Sequence, residues 1–66
     1  METKERYSLI GIDGNAFAIM GYVQRAMQHE KFTKEEIDVY IKNATSSDYY
    51  HLIAVSQEQI EKCNTR

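Results

Sequence analysis

His29, His51 and Cys63 are the only soft metal ligands in the chain, and structural zinc would require close pairs, with two ligands separated by two to four residues. The spacing provides no such pair. If His51 and Cys63 share a helix, they stand about 18 Å apart along its axis. Asp13-Gly14-Asn15 opens like a calcium loop, but that loop also needs oxygen ligands at its fifth and twelfth positions and glycine at its sixth. Those positions hold Phe17, Gln24 and Ala18. The sequence therefore calls for no metal.

A helix start after Asp13-Gly14-Asn15 could offer free N–H groups to a phosphate. Asp13 places a negative charge where the anion would sit, and no Lys or Arg lies beside it. Gly11 and Gly14 give the G-x-x-G spacing with which some single-strand binders clamp a nucleic-acid backbone, yet the enclosed residues are Ile12 and Asp13, neither of them basic. No nucleophile has an evident base and orienting acid near it in sequence. The expectation is a chain with no catalytic residues and no cofactor.

The elements that would position any site follow from the apolar spacing. Tyr7 to Ile12 is short, rich in Leu and Ile, and lacks helical period, so it reads as an extended or short-strand segment. After Gly14, Ala16, Met20, Val23 and Met27 recur at helical spacing, flanked by Phe17 and Ile19, and leave Gln24, Arg25 and Gln28 toward water. Asp13 is the expected N-cap of this helix, with Ile12 and Phe17 as a hydrophobic staple. "FTKEEI" repeats the grammar more specifically: Thr33 caps, Glu36 completes a capping box, and Phe32 and Ile37 form the staple. The second helix turns Ile37, Tyr40, Ile41 and Ala44 inward and ends near Thr45. Ser47 or Asp48 then caps a third helix with Tyr49, Leu52, Ile53, Ser56, Ile60 and Cys63 along one stripe.

The expected fold is mainly α: three short helices preceded by an extended segment, in one small domain over residues 1–66 with residues 1–6 and 64–66 frayed. The alternative is an α+β arrangement in which Tyr7 to Ile12 pairs with the same segment of another copy. A chain of 66 residues buries only about 60% of its unfolded surface, and a lone Cys63 forms no internal disulfide. Burying more surface by association favours a homodimer over a monomer, although Gly11 interrupts any strand ladder.

Charge and composition narrow the partners. The net charge is −2, with acids and bases interspersed, which gives no broad positive field for nucleic acid. No apolar run approaches the roughly 20 residues of a membrane span, and "METKERYS" is charged where a signal peptide needs an apolar core. Together with the single cysteine, these features lead to the expectation of a cytoplasmic protein with no membrane contact. Gly21 in a helix interior costs on the order of 1 kcal/mol relative to Ala, and close approach of another backbone would offset it. Tyr49 and Tyr50 cannot both face one core, so at least one ring is expected at the surface, as an interaction surface or lying flat on its own domain.

"LIGIDGNAFAIMGYVQRAM", followed by "FTKEEIDVYIKNATSSDYYHLI", resembles a group of short uncharacterised bacterial proteins found in Gram-positive genomes, phages and other mobile elements. The resemblance covers roughly Ser8 to Ile60 and is most specific at "DGNAFAIMG", Asp13 to Gly21. In that group the link after the first helix carries basic residues and a Gly before the aromatic position; this chain has "QHEKF", Gln28 to Phe32. The resemblance implies a mobile-element provenance and no mechanism.

These observations lead to a non-enzymatic protein-interaction or regulatory module with Tyr49 and Tyr50 as its contact surface and an unidentified protein as its partner. The alternative is a small helix-turn-helix-like nucleic-acid-binding domain. Charge weighs against it, because the third helix would present Asp48, Glu58 and Glu61 to phosphates against Lys62 and His51.

Overall fold

The computed structural model describes residues 7–65. They contain three helices, α1 Ala16–His29, α2 Lys34–Ala44 and α3 Tyr49–Asn64, and no strand. The chain is thus mainly helical, as its spacing predicts. The fraying expected of residues 1–6 and of Arg66 lies outside the described residues. Asn64, placed with the frayed end by position alone, is helical and hydrogen-bonded.

The cap of α1 differs from the expected one. Asn15, not Asp13, stands at the N-cap in extended geometry, and its Oδ1 accepts from the N–H groups of Phe17 at 2.7 Å and Ala18 at 3.3 Å. Asp13 acts one step earlier: its Oδ1 accepts from the Asn15 N–H at 3.2 Å in a turn that leads into the helix. The reason is reach, because a capping side chain meets the free N–H groups two and three residues beyond its own position, here those of Phe17 and Ala18. This shift also removes the Ile12–Phe17 staple. With Asn15 as cap the fourth helical position is Ile19, which is buried, while Phe17 is 80% exposed.

The capping box of α2 forms as predicted. Thr33 Oγ1 accepts from the Glu36 N–H at 3.1 Å, and the Thr33 N–H donates to Glu36 Oε1 at 2.8 Å. Phe32 and Ile37 both join the apolar cluster, and Thr45 closes the helix. Asp48 caps α3 through the His51 N–H at 3.0 Å.

α3 packs against both other helices. Its stripe of Leu52, Ser56, Ile60 and Cys63 is buried against Ile19, Val23, Ala26 and Met27 of α1 and Ile37, Tyr40 and Ala44 of α2. The contacts fix the directions: Tyr40 meets Ser56 and Asn43 meets His51, so α2 runs antiparallel to α3. α1 starts beside the start of α3, where Tyr49 reaches Gly14.

Tyr7 to Ile12 runs as a strap across α1 and α3. Its backbone pairs with the Asn64 side chain, Tyr7 N–H donating to Oδ1 at 2.9 Å and Nδ2 donating to the Tyr7 carbonyl at 3.0 Å. The Ser8 N–H donates to Tyr22 Oη. Leu9 to Ile12 then turn, with the Ile12 N–H donating to the Leu9 carbonyl and Gly11 at φ 86°, a value glycine adopts without strain.

The α1–α2 link also has a positive φ, at Lys31 (69°). The Lys31 N–H donates to the Gln28 carbonyl and the Phe32 N–H to the Met27 carbonyl, the paired bonds of a Schellman ending. Phe32 packs against the core as that ending requires. A lysine at this position carries a Cβ penalty that glycine avoids.

Two stability predictions follow from these ends. Asn15→Ala lowers the unfolding free energy by about 1 kcal/mol, and Asp13→Ala lowers it less, in parallel urea melts. Lys31→Gly raises it by about 0.5–1 kcal/mol, because relief at the left-handed position outweighs the greater freedom of the unfolded chain.

Candidate functional site

The bundle end formed by the starts of α1 and α3 carries the two expected contact residues. Tyr49 is 45% exposed and its hydroxyl donates to the Gly14 carbonyl. That bond ties the first turn of α3 to the chain entering α1. Tyr50 is 81% exposed, and the two rings meet edge to face with centroids 6.3 Å apart at 75°. The structure therefore brings Tyr49 and Tyr50 together and leaves the second ring free on most of its surface. The alternative, a ring lying flat on its own domain, does not describe Tyr50.

The two histidines and the cysteine make contacts within the fold. His51 Nε2 lies 3.0 Å from the Asn43 carbonyl, which accepts its N–H, so it closes the end of α2. His29 Nδ1 lies 2.8 Å from Tyr7 Oη and 3.3 Å from Glu30 Oε2, and the Tyr7 hydroxyl donates to the same Glu30 oxygen. This trio fastens the strap to the last turn of α1. Cys63 is wholly buried on α3. Among the described residues no group of three His, Cys, Asp or Glu side chains could hold a metal ion.

Between α2 and α3 an open groove of about 780 Å³ is floored by Met27 and Phe32 and edged by Glu35, Glu36, Val39 and Lys62. Gln59 lines it, with Nε2 buried and unpartnered among the described residues.

Sequence spacing assigns Phe17 to a staple and not to the surface, where its exposure rivals that of Tyr50. The signal was available once the cap moved to Asn15, since helical arithmetic from buried Ile19 and Val23 puts Phe17 on the opposite arc, with Gln24 and Gln28. Gly21 is a further departure: among the described residues nothing outside its own helical turn lies within 4 Å of where its Cβ would stand, so no other described backbone approaches it.

In the core, the Tyr40 hydroxyl and Ser56 Oγ lie 2.6 Å apart, both buried. Burial pushes the Tyr40 phenol above its ordinary 10.0, opposed in part by the Ser56 hydrogen bond. No helix among the described residues is long and apolar enough to cross a membrane.

Fold and site together define a three-helix bundle with a strapped flank and an aromatic end. No family model matches the chain, and neither does any curated protein or solved structure.

The Tyr40–Ser56 pair makes alkaline stability a test of the core. The folded chain holds the phenolic proton more tightly than the unfolded chain, so Tyr40's contribution is full below the unfolded value of 10.0 and is lost as pH rises through the folded one. Tyr40→Phe lowers stability at neutral pH by about 1–3 kcal/mol, by leaving Ser56 Oγ buried without its partner. It also reduces the further loss above pH 10.0, as urea melts over a pH series would record.

Proposed function

We propose that this chain is a non-enzymatic protein-interaction or regulatory module that docks through the aromatic end of the bundle. The observation that carries the reading is the state of Tyr50: its ring is 81% exposed, yet it is oriented edge to face by a neighbour that is itself tethered to Gly14. Tyrosine is enriched at binding hot spots because it offers a large amphipathic surface with few rotatable bonds. A ring already oriented loses less conformational freedom on binding. The partner is a protein, and the site of action is the cytoplasm, in keeping with one buried thiol and no disulfide. The resemblance of "DGNAFAIMG" to proteins of phages and other mobile elements supports such a provenance, which suits a small adaptor.

Two finer points belong to this reading. The Tyr7 to Ile12 segment acts as a strap that covers its own helices, supported by its bonds to Asn64 and Tyr22, and not as a strand shared between copies. The chain also self-associates as a homodimer, because so short a chain gains from burying further surface. The helix-turn-helix alternative loses support from the acidic, exposed Glu58 and Glu61 of α3.

The experiment is a pull-down from the native host with the tagged chain and its Tyr50→Ala variant. The expected outcome is a protein partner recovered by the parent and depleted at least tenfold by the variant, the scale of a hot-spot loss of about 2 kcal/mol. Recovery unchanged by Tyr50→Ala would remove the aromatic end from the interface. Nucleic acid in its place, released by salt, would establish the helix-turn-helix reading.

A further inference from the structure

Asp13 is the only Asp or Asn of this chain that precedes a glycine. Such a pair can react with itself, because the Gly14 nitrogen and the Asp13 Cγ are the two ends of a potential five-membered ring. Glycine sets no Cβ beside the nitrogen to hinder closure. The structure brings the two ends together. Asp13 and Gly14 are exposed in the link between the strap and α1. Asp13 Oδ1 accepts from the Asn15 N–H at 3.2 Å, and the loop of atoms closed by that bond contains both the Asp13 Cγ and the Gly14 nitrogen. The carboxyl is thus held beside the Gly14 peptide, and its hydrogen bond draws electron density from Cγ, the atom to be attacked. Among the described residues no hydrogen bond engages the Gly14 N–H, so none has to break before the nitrogen reaches Cγ.

We propose that Asp13-Gly14 is a self-modifying site, at which Asp13 isomerises to isoaspartate without an enzyme. The carboxyl reacts as the neutral acid: the Gly14 nitrogen bonds to Cγ, the Cγ–OH bond breaks, and the amide proton leaves with the hydroxyl as water. The product is a cyclic succinimide. Water then adds back at either of its carbonyls. Opening the bond between Cγ and the nitrogen restores Asp13. Opening the bond between the Asp13 carbonyl carbon and the nitrogen routes the main chain through Cβ and Cγ and leaves the α-carboxylate as the side chain. Water is the only co-reactant. The other aspartates lack this arrangement, since Asp38 precedes Val39 inside α2, and Asp48 precedes Tyr49 and turns its Oδ1 to the His51 N–H.

Isoaspartate adds one carbon to the main chain between two anchored points. On one side the Ile12 N–H donates to the Leu9 carbonyl, and on the other the Gly14 carbonyl accepts from the Tyr49 hydroxyl. The added length loosens that tether, and with it the ring that orients Tyr50. The consequence for docking rests on the reading of the aromatic end given above, whereas the isomerisation does not.

Incubation of the full chain for several weeks at neutral pH and body temperature, folded and unfolded in guanidinium chloride, tests the site. Trypsin releases Tyr7 to Arg25 as one peptide in which Asp13 is the only acidic side chain, and its isoaspartyl form separates from the parent at identical mass. Labelling by an isoaspartyl methyltransferase marks the product, and electron-transfer fragmentation places it. The expected result is isoaspartate at Asp13 and not at Asp38 or Asp48, formed in the folded chain at a rate no more than about threefold below that of the unfolded chain. Gly14→Ala should slow it at least about tenfold with the fold retained, because the added Cβ would stand 3.5 Å from Tyr49 Oη in ordinary contact. The purified isoaspartyl chain should unfold at a lower urea concentration than the parent. A folded-chain rate further below the unfolded one, a rate indifferent to Gly14→Ala, or equal isoaspartate at Asp38 or Asp48 overturns the proposal. An unchanged urea midpoint overturns the loosening of the tether. Partner recovery indifferent to Tyr50→Ala, measured separately, removes the aromatic-end reading and leaves the isomerisation standing.

Discussion

The buried stripe of α3 is the surface on which both other helices rest. Leu52 and Ile60 supply apolar area, while Ser56 and Cys63 are small enough for neighbouring helices to approach closely. Serine at a fully buried position imposes a condition, because an unpaired hydroxyl there is expensive. Tyr40 meets it from α2 across 2.6 Å, which sets the register between the two helices as well as satisfying the group. The strap depends on α3 too, through the paired bonds between Tyr7 and Asn64. Replace the small polar residue of this stripe by a large one and the geometry of both neighbours must change.

Features coded by one residue type at one spacing were legible in the sequence. The capping box of Thr33 and Glu36 involves two side chains and two N–H groups within a single turn, so no tertiary context is needed to read it. The buried positions of α2 and α3 follow from period alone, because a helix that packs on one side has few ways to place Ile37, Tyr40, Leu52 and Ile60. The start of α1 was harder, since Asp13 and Asn15 are both competent caps two residues apart. The choice between them rests on where the turn closes, and Asp13 closes it by accepting from Asn15. A two-residue shift rotated the helix reading enough to turn Phe17 from a staple into a surface ring.

The candidate surface was legible only as an exclusion: adjacent tyrosines cannot share one core. Which ring would face outward, and that the other would be tied to Gly14, depends on α1 and α3 starting side by side. That is a tertiary fact with no local signature. The strap is similar. Its Leu and Ile content suggested extension, but the bond from Ile12 to Leu9 and the positive φ of Gly11 turn its second half. Short apolar segments carry too few residues for period to decide between a strand and a folded strip.

Natural sequences agree with their folds at most positions, and the disagreements point to other demands. Here each disagreement can be matched against its compensation. Lys31 adopts a left-handed backbone, and two hydrogen bonds of the helix ending, together with the packing of Phe32, hold it there. Ser56 is polar in the core, and Tyr40 satisfies it. Tyr49 leaves the core and closes one end of the bundle. Gly21 and Phe17 differ from these three, since no described residue stands where a side chain at Gly21 would and Phe17 is 80% exposed. Both act against the stability of an isolated chain that is already short of core. They lie one helical turn apart on the same side of α1, so a single contact made beyond the described residues would compensate both.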